Sequence, residues 1–392
     1  MPAYLDHAAT TPMCEPARRA VLDWSGERFG NPSGPHSVAA AARAALDDAR
    51  DVVSTALGTA PGDVVFTSGG TESDNLAVLG RALAVPGAVV VSAVEHHAVL
   101  GAAKAAARWA GCPVRTVGTD SDGRVDLAQL ADALDASVSI VSVQLVNNEV
   151  GTVQPFAEVA HLVRRRAPQA VLHTDAVQAA PWYDLAEMGY GADLVTISAH
   201  KFGGPQGAGA LAFRRPVELA PLTFGGPQER ERRAGTQDVA GAVGLAAAMS
   251  WLRREMSAER RRVTLLRDRL ASGLLAAVEG ARVTAAAVPR APGHCHLTVE
   301  GVDSEELLFL LDSYGVRASA GSACASGALE ASHVLTAMGT PPALARGALR
   351  LTLGHSSTEA DVDLALEAVP RAVSRLREAG RAASPRAQEV LR

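Results

Sequence analysis

One lysine in this sequence has the surroundings of an amine nucleophile. Of the 37 Lys and Arg residues, only Lys104 and Lys201 are lysines. Lysine can lose its proton and form a Schiff base with a carbonyl group, which the guanidinium of arginine cannot do in a protein. Lys201 lies in SAHKFGGPQG, directly after a predicted strand, and the glycines that follow allow a ligand to approach the backbone closely. We therefore interpret Lys201 as the reactive residue and Lys104 as an ordinary helix residue.

A second signal is a turn suited to a phosphate group. TSGGTESDN (67–75) ends one predicted strand and begins a helix, so Gly70 and Thr71 lie at a helix N-terminus with free backbone N–H groups. A helix N-terminus of this kind binds anions. Glu72 and Asp74 have an alternative interpretation as plain capping acids.

Three further predicted strands end in polar side chains. In LHTDAVQAA, Asp175 is followed three residues later by Gln178. A carboxylate fixed at this position favours the protonated form of a ring nitrogen, although a helix N-cap is a common role for such an aspartate. The shared position at strand ends indicates one site. The other strand-end residues are His96 and His97 in VEHHAVL, and Asn147 and Asn148 in QLVNNEVG.

The cysteines fall into two kinds. Cys324 lies in ASAGSACASG (318–327), whose small residues predict a mobile and accessible loop, and an ionised thiol in such a loop can act as a nucleophile. Cys14, Cys112 and Cys295 are expected to be buried. In HCH (294–296), strand alternation would put the cysteine on the opposite face from both histidines, so we predict no metal site.

The elements that position these residues follow an α/β pattern. Apolar runs alternate with helical segments, which is typical of a buried, mainly parallel sheet flanked by helices. In such sheets, ligands bind beyond the carboxyl ends of the strands. The predicted strands are 63–68, 88–93, 113–117, 139–146, 170–175, 193–198 and 208–213, and the helices between them include Glu72–Ala84, Ala98–Ala110 and Phe156–Arg166.

A smaller α/β region is predicted after a long helix. We expect this helix over Val239–Ala277, with a break near Ser257, and a loosely ordered tail after Arg377. The predicted large domain spans 15–255, and the small domain, which carries the Cys324 loop, is formed by 1–14 and 256–392. The elements predicted in the small domain are strands 295–299 and 348–353 and helices Ser304–Tyr314 and Glu359–Arg377.

Composition excludes several classes of protein. With 48% hydrophobic and 20% charged residues, the chain is not expected to be disordered, collagenous or a coiled coil. A formal net charge of −5 gives no general attraction to nucleic acids or anionic membranes, so we expect neither as a partner. The sequence has no signal-peptide pattern and no apolar run near the ~20 residues of a membrane span, which favours a cytoplasmic protein.

Taken in chain order, the motifs resemble those of one family. They are YLDHAATTP, FGNPSGPH, FTSGGTESDN, EHHAV, VNNEVG, TDAVQ, SAHKFGGPQG, RRAGTQD, GSACASG and LRLTLG. This series resembles cysteine desulfurases of the NifS/IscS type, within the class V aminotransferases of fold type I. The resemblance implies a homodimer with pyridoxal 5'-phosphate that converts L-cysteine to L-alanine and leaves a persulfide on Cys324.

The resemblance also implies individual roles. Lys201 would form the Schiff base and remove the α-proton, Asp175 would pair with the ring nitrogen, and His96 would stack on the ring and act as acid–base. Cys324 would be the nucleophile. The remaining implied roles are in binding. Gln178 and Asn148 would bind on the side of the cofactor ring that carries the hydroxyl group. The cofactor phosphate would be bound by Gly70, Thr71, Ser198, His200 and Thr236 of the partner subunit, and the substrate by Arg350 with Asn31 and Asn148.

The acceptor of the sulfur stays open. The tail after Arg377 does not resemble the segment with which iron–sulfur scaffold-binding members dock. A scaffold for iron–sulfur cluster assembly, a tRNA-thiolation enzyme, DNA phosphorothioation machinery and a biosynthetic sulfur carrier are all compatible with the sequence. One alternative function is a selenocysteine lyase or an aminotransferase on the same fold, and the Cys324 loop argues against both. The other is a non-catalytic sulfur-transfer adaptor, and the presence of both Lys201 and Cys324 argues against it.

Overall fold

The computed structural model describes residues 2–321 and 332–389, with side chains described as far as Arg381. Cys324 lies outside the described residues. The strands are β1 (Ala3–Tyr4), β2 (Val64–Thr67), β3 (Ala88–Ser92), β4 (Val114–Val117), β5 (Val138–Ser142), β6 (Val171–Asp175), β7 (Leu194–Ser198), β8 (Gly209–Phe213), β9 (Ala281–Val283), β10 (His294–Val299), β11 (Val316–Arg317) and β12 (Ala348–Thr352). The helices are α1 (Glu15–Ser25), α2 (Ser37–Leu57), α3 (Gly70–Ala84), α4 (His97–Ala110), α5 (Leu127–Ala133), α6 (Phe156–Arg166), α7 (Leu185–Met188), α8 (Val239–Ala277), α9 (Ser304–Ser313), α10 (His333–Ala337), α11 (Pro342–Ala345) and α12 (Glu359–Glu389).

The main sheet has seven strands in the order β2-β8-β7-β6-β5-β3-β4. Strand β8 is antiparallel to both of its neighbours, and the other pairs are parallel. Strands β3, β5, β6 and β7 are buried along their whole length, as expected for apolar, β-branched segments covered by helices on both faces. The predicted α/β class with a mainly parallel sheet is confirmed.

One predicted strand, 139–146, is too long. Strand β5 ends at Ser142. The N–H groups of Val143 and Leu145 still donate to the β6 carbonyls of His173 and Asp175, at 3.2 and 3.0 Å, but Gln144 between them bonds to the β3–α4 turn. The backbone N–H of Gln144 donates to Oε1 of Glu95 at 2.8 Å, and the Gln144 amide donates to the carbonyl of Val94. The segment after β5 is thereby held against the end of β3.

Two predictions about the long helices are wrong. Helix α8 continues without a break through Ser257, because an exposed serine costs a helix only a few tenths of a kcal/mol. Helix α12 extends to Glu389, beyond the predicted end at Arg377. No helix among the described residues combines the length and apolar character needed to cross a membrane.

A smaller sheet lies beside the main one. Its strands β12, β10 and β9 are antiparallel, and the short strands β1 and β11 pair in parallel next to them. One apolar cluster extends from the main sheet to this smaller sheet, and helices α8 and α12 pack against each other within it. The domain boundaries given above stay a prediction.

Candidate active site

The carboxyl ends of the parallel strands meet at one edge of the main sheet, around a cavity of about 280 Å³. Every site residue that the resemblance assigned, and whose side chain is described, lines this cavity, except Asn31 and Thr236. The assigned residues that line it are Gly70, Thr71, His96, Asn148, Asp175, Gln178, Ser198, His200, Lys201 and Arg350. The topology thus brings together side chains from separate strand ends, as the position of ligands in α/β sheets requires.

Of the other predicted strand-end residues, His97 lines the cavity and Asn147 does not. The Asn147 amide is held in its own turn, because it accepts from the N–H groups of Glu149 and Val150 at 2.9 Å each and donates to the carbonyl of Val94 at 3.1 Å.

Lys201 lies on a short turn that directly follows β7. Its Nζ donates hydrogen bonds to the backbone carbonyls of Ala8 at 2.7 Å and Ala9 at 2.6 Å. The N-terminal segment is tied to the same turn, because the Thr11 hydroxyl donates to the His200 carbonyl at 2.7 Å and accepts from the N–H of Gly203 at 2.9 Å. The reactive amine is therefore held by main-chain oxygens.

Asp175 is the last residue of β6 and accepts a hydrogen bond from the Val177 N–H at 2.8 Å. Burial raises the pKa of Asp175 to about 6, while the Val177 N–H and the charge of Lys201 oppose that shift. The alternative interpretation of Asp175 as a helix N-cap is wrong, because turns follow it and the next helix, α7, is capped by Asp184.

The turn before α3 leaves the first N–H groups of that helix at the cavity. Gly69 has a φ of 147°, which a residue with a side chain rarely adopts. A Cβ on Gly209 would lie 2.6 Å from the Cα of Gly69, so glycine is needed there for the turn to pack against β8.

Glu72 accepts from the Ser68 N–H at 2.6 Å and from Arg233 at 2.9 Å, and it is the capping acid of this turn. The same interpretation of Asp74 is wrong, because Asp74 is buried in the cavity wall.

His96 forms the N-cap of α4. Its Nδ1 accepts from the Ala98 N–H at 3.2 Å, so a neutral ring carries its proton on Nε2. Burial, followed by the charge of Lys201, lowers the pKa of His96 to about 4. The ring is therefore neutral at pH 7, with its Nδ1 occupied by the Ala98 N–H and its Nε2–H available as a hydrogen-bond donor.

Arg350 on β12 forms the wall opposite the main sheet and is buried. Its Nη2 donates to Asp6 at 2.8 Å, and its Nη1 donates to the carbonyls of Asn148 and Gly321 at 3.0 Å each. Among the described residues, the buried Nε of Arg350 and the buried Oδ1 of Asn148 have no hydrogen-bond partner. Buried polar atoms without partners are costly, so these two atoms indicate contacts with a bound ligand.

Asn31 and Thr236 do not line the cavity of the single chain. Both are exposed, and Asn31 Oδ1 accepts a local hydrogen bond from the Ser33 N–H at 3.0 Å. Cys14, Cys112 and Cys295 are free and buried, as predicted.

Several polar residues of the site were not predicted from the sequence. Glu149 is buried in the wall and accepts from the Ser332 hydroxyl at 2.5 Å, and Gln144 also faces the cavity. Asp6 orients Arg350, and Asp74 lies in the wall beside Asp175. The available signal was a polar residue inside an otherwise apolar run, as in LVNNEV, but that signal does not distinguish a buried acid from a turn residue.

The model of the class V aminotransferase family matches residues 3–365. The chain belongs to this family. It is 44% identical over 391 residues to an IscS-like cysteine desulfurase of Mycobacterium tuberculosis (strain ATCC 25618 / H37Rv), with 97% of this chain and 99% of that protein covered. A solved NifS-like protein has a TM-score of 0.89 at 32% identity, with 95% of this chain and 100% of that chain covered. The structure titled SspA in complex with cysteine has a TM-score of 0.76 at 28% identity, with 91% and 100% covered.

Members of this family depend on pyridoxal phosphate, and the residues of this cavity fit that cofactor. Lys201 offers an amine, Asp175 offers a carboxylate for the ring nitrogen, and the N-terminus of α3 offers N–H groups for the phosphate. The unpartnered Oδ1 of Asn148 requires a donor, which the ring hydroxyl can supply.

Proposed function

We propose that this protein is a cysteine desulfurase that removes the sulfur of L-cysteine with the help of pyridoxal phosphate. The observation that carries the proposal is the convergence of Lys201, Asp175 and Arg350 on one cavity whose wall includes Gly321, just before the segment that contains Cys324. The name of the M. tuberculosis relative and the cysteine in the SspA structure support the same activity.

The residues that would hold the cofactor and substrate follow from the geometry of the cavity. Asp175 would hold the ring nitrogen in its protonated form, and Asn148 and Gln178 would bind near the ring hydroxyl. Ser198 and His200 would join Gly70 and Thr71 at the phosphate. The guanidinium of Arg350, already held by Asp6, would bind the substrate carboxylate, because planar guanidinium groups bind carboxylates strongly.

When bound, pyridoxal phosphate accepts the electron pair left on the α-carbon of the substrate after proton removal. The neutral amine of Lys201 removes that α-proton and returns it to the substrate. Ala8 and Ala9 provide carbonyl acceptors that restrict the positions of Nζ between these steps. His96 covers the ring and exchanges protons with the reacting groups.

Sulfur transfer requires Cys324. The Cys324 thiolate attacks the sulfur of the substrate, so that a new S–S bond forms as the Cβ–S bond breaks. The electron pair of the broken bond stays on Cβ, which takes up a proton to become the methyl group of L-alanine. The thiol must lose its proton first, because the thiolate is the nucleophilic form, and His96 would take up that proton only after its own Nε2 proton has left the ring.

The active form would be a homodimer. Thr236, and with it Asn31, would reach the cavity of the partner subunit, which explains why both are exposed in the single chain. Arg233, three residues before Thr236, bonds to Glu72 at the phosphate turn, so this segment already lies close to the N-terminus of α3. Exposed Phe224 in the same loop offers apolar surface for the partner to cover.

A protein would accept the persulfide sulfur from Cys324. A scaffold for iron–sulfur cluster assembly, a tRNA-thiolation enzyme, DNA phosphorothioation machinery and another sulfur carrier remain the candidate classes. Loading the enzyme with ³⁵S-cysteine and following the label into affinity-captured proteins would identify the class, and retention of all label on the enzyme would contradict a protein acceptor.

The proposed activity predicts a defined product ratio. With pyridoxal phosphate, L-cysteine and a thiol reductant, we expect one alanine for each sulfide released, without any 2-oxo acid, because the amino group stays on the carbon skeleton. Amino-acid analysis and a sulfide assay measure the ratio. Alanine that forms only when a 2-oxo acid is added would indicate an aminotransferase, faster turnover of selenocysteine would indicate a lyase, and no visible absorbance after cofactor addition would indicate an adaptor.

A further inference from the structure

A second buried carboxyl group, Asp74, lies beside Asp175 and has no part in the mechanism proposed above. Asp74 is three residues after Thr71 on α3, and both residues line the cavity. Asp74 is only 1% exposed. One carboxyl oxygen of Asp74, one of Asp175 and a ring nitrogen of His96 lie within 4.8 Å of one another. The cavity wall therefore contains two acids where a ring nitrogen needs one.

The two carboxyl groups differ in the groups that stabilise a negative charge. Asp175 accepts the Val177 N–H at 2.8 Å and faces the charge of Lys201. Asp74 has the Thr196 hydroxyl nearby, and its Oδ1 lies 3.6 Å from Nε2 of His173. That oxygen has no hydrogen-bond partner among the described residues. Asp175 is thus the better anion of the pair.

His173 does not supply a positive charge to Asp74. Complete burial lowers the pKa of His173 to about 3, so its ring is neutral. The Ser142 hydroxyl lies 2.8 Å from its Nδ1, and the Thr196 hydroxyl lies 3.0 Å from its Nε2. Every polar neighbour of Asp74 on β6 and β7, apart from Asp175, is therefore uncharged.

The ionisable groups that act on Asp74 are the carboxyls of Asp175 and Glu95, together with the neutral histidines His96 and His173. Burial, followed by the charge of Asp175, raises the pKa of Asp74 well above its usual range. Glu95, in the turn after β3, adds to the same shift. Two carboxylates this close and removed from water do not both ionise.

We propose that Asp74 is a positioning residue that remains protonated at neutral pH beside the carboxylate of Asp175. The pair then carries one negative charge, which matches the one positive charge of a protonated pyridine nitrogen. The purpose of the pair rests on the proposed function, whereas the proton on Asp74 is a property of the chain itself and is measurable without substrate.

The stability of the cofactor-free full chain tests this proposal, with Asp74→Asn as the variant. A carboxyl whose pKa is raised by folding stabilises the fold below its unfolded pKa, and that stabilisation is lost as the pH rises toward its folded pKa. Asparagine has a similar size and binds no proton. We therefore expect the unfolding equilibrium constant of the wild type, relative to the variant, to increase about tenfold per pH unit between about pH 4 and 7.

Asp126→Asn is the matched control, measured by the same urea titrations. Asp126 is a partly exposed N-cap whose pKa is lowered, first by the Gln129 N–H, so its stabilisation appears as the pH rises. The stability difference between this variant and the wild type is expected to change in the opposite direction with pH. A stability difference that is constant with pH for Asp74→Asn would mean that Asp74 is ionised in the fold and would overturn the proposal.

Infrared spectroscopy of the wild type gives a second readout that does not depend on the variant's folding. With ¹³C-carboxyl-labelled aspartate, we expect a label-sensitive carbonyl band of a protonated aspartic acid at pH 7. The band should be lost in Asp74→Asn and kept in Glu95→Gln. Absence of the band from the wild type, as a divalent cation bound by both carboxylates would cause, contradicts the proposal. Neither measurement uses L-cysteine, so failure of the desulfurase proposal would be seen separately.

Discussion

The variant Lys201→Arg is expected to release alanine from L-cysteine at least about 10³-fold more slowly than the wild type, with the fold intact. Arginine keeps the positive charge and can still donate to the carbonyls of Ala8 and Ala9, which hold Nζ in the wild type. A guanidinium cannot form the Schiff base or remove the α-proton. Amino-acid analysis of alanine and the visible absorbance of the bound cofactor measure the loss.

The only other lysine of the sequence provides the matched control. Lys104 is exposed on α4 and does not line the cavity, so Lys104→Arg makes the same chemical change away from the site. We expect its rate of alanine release to equal that of the wild type. Normal turnover in Lys201→Arg, or an equal loss in both variants, would contradict the assignment of Lys201.

The variant Cys324→Ala is expected to form no persulfide and to release alanine at least about 10²-fold more slowly. The step that Cys324→Ala blocks should differ from the step that Lys201→Arg blocks. Because Lys201 is intact, the α-proton of L-cysteine should still exchange with deuterium from solvent, whereas Lys201→Arg should lose that exchange as well. Mass spectrometry of the protein detects the persulfide, and NMR of the substrate detects the exchange.

Cys112→Ala is the control for this substitution. Cys112 is buried beside α4, and its thiol contacts backbone carbonyls rather than the cavity. The change should cost some stability and leave persulfide formation on Cys324 unaltered. Undiminished alanine release from Cys324→Ala would be incompatible with a desulfurase that uses this thiol.

Site residues at strand ends could be placed from the sequence, because a polar residue there directly ends or follows a buried strand. Asp175 ends the buried strand β6 and Lys201 follows the buried strand β7, and parallel strands of that kind end at the same edge of a sheet. The ends of α8 also agree with the predicted helix. The error at Asp74 arose because a single aspartate near the start of a helix has the same local pattern whether its side chain faces solvent or a cavity.

The sequence by itself determined the α/β class and the position of Lys201 and Asp175 at strand ends, because these follow from residue chemistry and short-range periodicity. Only the tertiary structure decided how the residues are held. The ion pair between Arg350 and Asp6 joins residues 344 positions apart, and the bond from Lys201 to Ala8 spans 193 positions. The acid pair of Asp74 and Asp175 likewise depends on α3 packing against β6. Such contacts arise when distant segments pack into one core, and no local pattern encodes them.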